Sequence, residues 1–256
     1  MKSAIVMGGG TGVGASTSVR LAALGYAILV NYRHSVVEAR EVVRQCQQLG
    51  VDAYCIQGDI GEDEHCRRIA ASASERWGRI SALVNCAGVT RFVAADNLDG
   101  LSAEDFIAVY RTNTIGAFQM ARAVVPAMST QGGAIVNISS IASLTGNGSS
   151  YAYVASKAAL NALTLGLART LAPAVRVNAV LAGLIEGRWV RESLGEAAYE
   201  RIKAEFRRQS ALGTVCTPDQ IADAAIWLVD GTSVVTGQLM VVDAGSLLGR
   251  PPVVSA

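Results

Sequence analysis

The sequence predicts an α/β chain folded as a single doubly wound domain over residues 1–256, a seven-stranded parallel sheet with helices on both faces. Three observations carry this. Short apolar strands alternate with helical periodicities in units of roughly 30 residues. The first strand runs into a glycine turn that opens a helix, Gly8-Gly-Gly-Thr-Gly-Val-Gly14. No internal repeat, low-complexity tract or linker divides the 256 residues.

Composition narrows the function classes. Apolar residues make up 51% of the chain, yet no apolar run reaches the ~20 residues of a membrane helix. Met1-Lys-Ser-Ala-Ile-Val-Met7 enters the glycine turn directly, leaving no room for a signal peptide. The net charge of +1, with acids and bases mixed, gives no footprint for nucleic acid or membrane. Five scattered cysteines without a Cys-x-x-Cys pair read as core residues of a reducing compartment, so the expectation is a cytoplasmic protein. His34 and His65 lie in no ligand-spaced cluster, and no metal site is expected.

Taken in order, Ala4–Met7 is the first strand, and Ala15, Val19, Ala22 and Ala23 keep helical spacing up to Gly25. Gly8-x-x-x-Gly12-x-Gly14 departs from the common Gly-x-Gly-x-x-Gly spacing but still aims backbone N–H groups and a helix N-terminus at a phosphate. The second strand, Ala27–Val30, leads into Asn31-Tyr32-Arg33-His34, where an NAD site usually places an acid. Arg33 suits a 2′-phosphate instead, so NADP(H) is preferred, with NAD(H) left open. Ser35-Val-Val-Glu38 reads as a capping box for the next helix. Val51–Ile56 is the third strand, ending at Gly58-Asp59-Ile60, where Asp59 is suited either to an adenine amino group or to capping the following helix. Ile80–Val84 is the fourth strand, and Asn85-Cys-Ala-Gly88 after it would let backbone approach a flat ligand while Asn85 braces neighbouring strands.

One long helix is expected from Ser102 through Phe106, Val109, Asn113, Ala117 and Met120 toward Pro126. Asn113 is the lone polar member of its apolar stripe, suited to distorting the helix and holding a water. Ala134–Ile138 delivers Ser139 and Ser140 at its end. Tyr153 and Lys157 then share a helix face at i, i+4, which predicts a tyrosine pKa drawn down toward neutrality by the ammonium. A serine hydroxyl beside them would steady a developing oxyanion. Val175–Leu181 and Leu239–Val242 complete the sheet, and Thr217-Pro-Asp-Gln220 is a second capping box.

These pieces, in this order and over nearly the whole chain, resemble the short-chain dehydrogenase/reductase family in its one-domain Rossmann form: Gly8-x-x-x-Gly12-x-Gly14, Asp59, Asn85-Cys-Ala-Gly88, Asn113, Ser140, Tyr153-x-x-x-Lys157, Asn178, Thr236-Gly-Gln238 and Val241-Val-Asp-Ala-Gly245. The resemblance implies hydride transfer between a nicotinamide cofactor and a small-molecule ketone or alcohol. Tyr153 would be the general acid/base, Ser140 would orient the carbonyl, Lys157 would bind ribose hydroxyls, and Asn113 would hold a proton-relay water. The family's thirteen-residue offset selects Ser140 over Ser139. Cofactor contacts are implied for Gly8, Thr11, Gly12, Val13, Gly14, Arg33, Asp59, Ile60, Asn85, Ala87, Gly88, Tyr153, Lys157, Gly183 and Ile185, and a homotetramer (or homodimer) is implied as the assembly.

Departures from the pattern are Met7 for the usual Thr and Gly187, which lacks the hydroxyl that would bond the nicotinamide amide. Residues 186–212 read as a substrate lid, and Pro251-Pro252 as the end of regular structure, with a tail reaching a neighbouring subunit. A narrower resemblance, to 3-oxoacyl-carrier-protein reductases, is opposed by the absence of a basic patch in residues 126–133 and 173–174. A dinucleotide-sensing regulator without chemistry would have no need of the complete Asn-Ser-Tyr-Lys set.

Overall fold

The computed structural model describes residues 1–128 and 132–250; the Pro251-Pro252 tail lies outside them. The first half runs β1 (Ser3–Met7), α1 (Gly12–Ala23), β2 (Ala27–Tyr32), α2 (Val36–Gln48), β3 (Ala53–Gln57), α3 (Asp63–Trp77) and β4 (Ala82–Asn85). Then come α4 (Ala103–Tyr110), a π turn (Arg111–Ile115), α5 (Gly116–Met128), β5 (Gly133–Ser140), α6 (Ala142–Thr145) and α7 (Tyr151–Leu171). The chain continues with β6 (Val175–Ala182), α8 (Arg188–Leu194), α9 (Glu196–Gln209), α10 (Pro218–Asp230) and β7 (Leu239–Val242).

The strands form one parallel sheet in the order β3-β2-β1-β4-β5-β6-β7. Alternate residues of β1 enter opposite layers. Ala4 and Val6 pack with α1, α2 and α10, through Leu21, Val42 and Ile221 among others. Ile5 and Met7 pack with α3 and α5, through Ile69, Met120 and Val124. Burial on both faces explains why these strands read as continuous apolar runs rather than alternating ones. Order reverses between β1 and β4, whose last residues, Met7 and Asn85, are paired. The crevice beyond the carboxyl ends at that switch point is where a doubly wound sheet takes its ligand.

Helix ends follow the sequence in part. The Thr217/Gln220 capping box forms, with reciprocal bonds of 3.3 and 2.9 Å. The Ser35/Glu38 box does not: Ser35 Oγ accepts from Arg188 at 3.1 Å, and Glu38 pairs with the same guanidinium. A tertiary ion pair has displaced the local cap. Asp59 does not cap α3 either, since Glu62 holds the N-cap position.

The single long helix expected from Ser102 is α4 and α5 joined through the π turn. Asn113 sits at the centre of that turn. Its amide accepts from Val89 N–H at 2.8 Å and donates to Val89 O and Ser156 Oγ, both at 2.9 Å. These bonds tie the widened turn to the loop after β4 and to α7.

Candidate active site

The glycine turn comes first. Gly8 and Gly12 are left-handed, at φ 66° and 51°. A Cβ on Gly8 would sit 2.9 Å from the Ala87 backbone, and one on Gly14 would sit 2.2 Å from Gly8 O. Thr11 is the N-cap of α1, with Val13 in its first turn, yet its side chain makes no capping bond. Nothing lies within 4 Å of the position a Cβ would take on Gly12. The first N–H groups of α1 lack intrahelical partners and lie at its positive dipole end, a geometry suited to a diphosphate. Asn31, which sequence reasoning passed over, ties the turn down: it accepts from Gly8 N–H at 3.3 Å and donates to Gly58 O at 3.0 Å. Its signal was a polar residue ending a buried strand.

At the ends of β2 and β3, Arg33 Nε lies 3.1 Å from Asp59 Oδ2. The other Asp59 oxygen accepts from Gly61 N–H at 2.8 Å. Ile60 is buried, its carbonyl accepting from Gln119 at 2.9 Å. Asn85, at the end of β4, donates to Asn137 Oδ1 at 2.8 Å and so braces β4 against β5. Gly88 leaves room between Asn113 Oδ1 and Lys157 Nζ, which would stand 3.4 and 3.6 Å from an added Cβ. Gly183 packs against Asp243, and Ile185 forms a bridge to Cys216 that fixes the loop after β6.

Ser140 ends β5 beside Tyr153, with its hydroxyl accepting from Ala142 N–H at 3.2 Å and donating to Ala182 O at 3.4 Å. Ser139 is turned inward onto Asn161 at 2.7 Å, and Tyr151 donates to Ala95 O at 3.2 Å, so neither belongs to the site. Tyr153 and Lys157 share one face of α7, with the ammonium 5.7 Å from the phenol ring centroid.

The expected acidification is absent. Burial pushes the Tyr153 phenol up to about 12, against a smaller opposing pull from Ser140. Burial brings Lys157 down to about 8, and its ammonium donates to Ile138 O at 2.8 Å. Sequence spacing put the two groups on one face but gave no access to the desolvation that outweighs their attraction. Two residues absent from the sequence reading complete the site. Trp189 packs edge-on against Tyr153, centroids 5.9 Å apart at 72°, and Arg188 reaches across to Ser35 and Glu38.

A family model described as enoyl-(acyl carrier protein) reductase matches residues 8–246. The chain belongs to the short-chain dehydrogenase/reductase family. A protein provisionally described as ketoacyl reductase 2 of the granaticin polyketide synthase, from Streptomyces violaceoruber, is 36% identical over 96% of both chains. The 3-oxoacyl-[acyl-carrier-protein] reductase FabG of Staphylococcus aureus is 33% identical over 95% of this chain and 97% of its own. A short-chain type dehydrogenase/reductase from Mycobacterium ulcerans superposes with a TM-score of 0.88 at 26% identity, covering 98% of this chain and 91% of its own. As a short-chain dehydrogenase/reductase, the protein is an oxidoreductase acting between CH–OH and C=O with NAD(P)(H). The open glycine turn fits that dinucleotide. Among the described residues no group of His, Cys, Asp and Glu is placed to hold a metal, and no helix is long and apolar enough to cross a membrane.

Proposed function

We propose that this short-chain dehydrogenase/reductase is an NADP(H)-preferring carbonyl reductase or secondary-alcohol dehydrogenase, with Tyr153 as its proton donor and acceptor. The observation that carries the assignment is half-buried Tyr153 sharing one face of α7 with buried Lys157, the ammonium 5.7 Å from its ring, beside Ser140 at the carboxyl end of β5. The bound dinucleotide supplies the hydride. Ser140 holds the carbonyl oxygen, and the neutral Tyr153 phenol gives it a proton as the alcohol forms. Lys157 turns from Ile138 O toward ribose hydroxyls and stabilises the phenolate left behind. Asn113 spends its side chain on Val89 and Ser156, so its relay role falls to the main-chain carbonyl of the π turn.

The depressed Lys157 pKa gives this proposal a pH signature. The ammonium charge is lost as pH rises through about 8. The kcat/KM for ketone reduction will therefore fall above that pH, with Tyr153 still protonated; a profile flat to about pH 9.5 would contradict it.

Arg33 supports the NADP(H) preference. Its ion pair with Asp59 is half exposed on the arginine side and so worth no more than ~1 kcal/mol, little resistance to redirection onto a 2′-phosphate. Arg33→Ala will weaken NADPH binding by roughly 10- to 100-fold and leave NADH within about twofold, as read by titration of nucleotide fluorescence. An unchanged preference would count against Arg33.

Residues 186–212 serve as the substrate lid, with α9 anchored by fully buried Tyr199 and α8 carrying no buried residue. A homotetramer is favoured by exposed Phe106, Ile107, Tyr110 and Phe118 and by the open small-residue face of α7 at Ala155, Ala158 and Ala162. The five cysteines are free, which fits a cytoplasmic setting. Reduction of 3-oxoacyl thioesters is a second reading, favoured by the names of the relatives.

A further inference from the structure

We propose that Trp189 is a substrate-positioning residue that selects uncharged ketones fused to a flat ring, in preference to acyl groups borne on acidic carriers. The inference rests on the carbonyl-reductase reading above and assigns that site its substrate class.

Trp189 stands beside the proposed proton donor. The two rings meet edge-on with centroids 5.9 Å apart, while 45% of Trp189 remains exposed, offering apolar surface beside the proton donor. Flat rings gain from such aromatic contact, and a saturated ring of the same size gains less. The indole is also held in place. Arg188, its neighbour in the first turn of α8, bonds Glu38 Oε1 and Ser35 Oγ, each at 3.1 Å, so α8 is fastened across to α2.

Charge at the entrance argues in the same direction. Three arginines on the segments beside Tyr153 already face carboxylates of this chain: Arg91 pairs with Asp105, Arg188 with Glu38, and Arg191 with Glu196 at 2.7 Å. The segment linking Ser140 to Tyr153 has no charged residue and exposes Leu144. Asp96 and Asp99, in the loop after β4, add only negative charge. An acidic carrier would compete with the carboxylates already holding these arginines, whereas an uncharged ring ketone needs no cation.

The test compares the steady-state kinetics of the full chain, Trp189→Ala and Trp189→Phe, with NADPH as reductant. The substrates are cyclohexanone, its benzo-fused relative β-tetralone, and acetoacetyl-CoA. Expected is a wild-type preference for the tetralone over acetoacetyl-CoA. In Trp189→Ala the tetralone/cyclohexanone ratio of kcat/KM should fall about tenfold, and the loss should lie more in binding of the tetralone than in its turnover. Trp189→Phe should restore most of the ratio, and NADPH affinity should stay within about twofold throughout. A ratio unmoved in Trp189→Ala, an equal loss on both ketones, or weakened NADPH binding would overturn the assignment. Wild-type turnover of acetoacetyl-CoA alone would overturn it too, while leaving the carbonyl-reductase reading standing. That reading fails separately, if Tyr153→Phe keeps full activity.

Discussion

Tyr153→Phe will abolish turnover, lowering kcat by about 10²–10⁴-fold or more, while NADPH still binds within about threefold of wild type. In the proposed mechanism the phenol oxygen exchanges a proton with a carbonyl held by Ser140, and its pKa of about 12 in the free protein keeps it a donor across the neutral range. Folding will hardly register the change. Phe fills the same volume, and Ser140 retains the Ala142 N–H at 3.2 Å, so the stability loss should stay near ~1 kcal/mol. Stopped-flow or steady-state nicotinamide absorbance reads the first quantity, and nucleotide fluorescence the second. Equal activity in the variant would remove Tyr153 from the mechanism. A joint collapse of activity and melting temperature would show that the hydroxyl is structural.

Gly14→Ala will cost both stability and cofactor binding, by a different route. The added methyl would stand 2.2 Å from Gly8 O and 2.9 Å from Gly9 Cα, and these are backbone atoms that cannot rotate away. Relief requires the turn to part from the first helical turn of α1, which moves the N–H groups proposed to receive the diphosphate. Overpacking of this kind costs roughly 2–3 kcal/mol, on the order of 5–10 °C in Tm for a chain this size. NADPH affinity should drop by at least about tenfold. Gly12→Ala is the informative partner, because its Cβ meets nothing within 4 Å and only the left-handed φ of 51° opposes it. If Gly14→Ala melts and binds like wild type, the close approach of turn and helix is not what shapes the site.

The two variants separate what could be read in the chain from what could not. The glycine spacing, the strand-end hydroxyls and the Tyr153/Lys157 offset are local regularities, and each falls where the sequence places it. Selecting Ser140 over Ser139 is supported by Ser139 facing Asn161 inside the sheet. The sheet itself was legible because strands buried on both faces leave unbroken apolar runs, as in Ile5–Met7 and Leu83–Val84. Boundaries slipped by a residue or two: the third strand begins at Ala53 rather than Val51, and the fourth at Ala82 rather than Ile80. The four-residue α6 carried no periodic signal.

By itself, then, the sequence determined the sheet, the glycine turn and the Ser140, Tyr153 and Lys157 constellation, since these depend on periodicity and near-neighbour spacing. Tertiary structure decided how those groups are tuned and what surrounds them. Lys157 is buried and turned onto Ile138 O, Ser35 and Glu38 serve Arg188 instead of their own helix, and Trp189 is brought against Tyr153 from far along the chain. Desolvation, long-range ion pairing and aromatic contact arise only when distant segments close on one another, and no local pattern in the chain encodes which segments those will be.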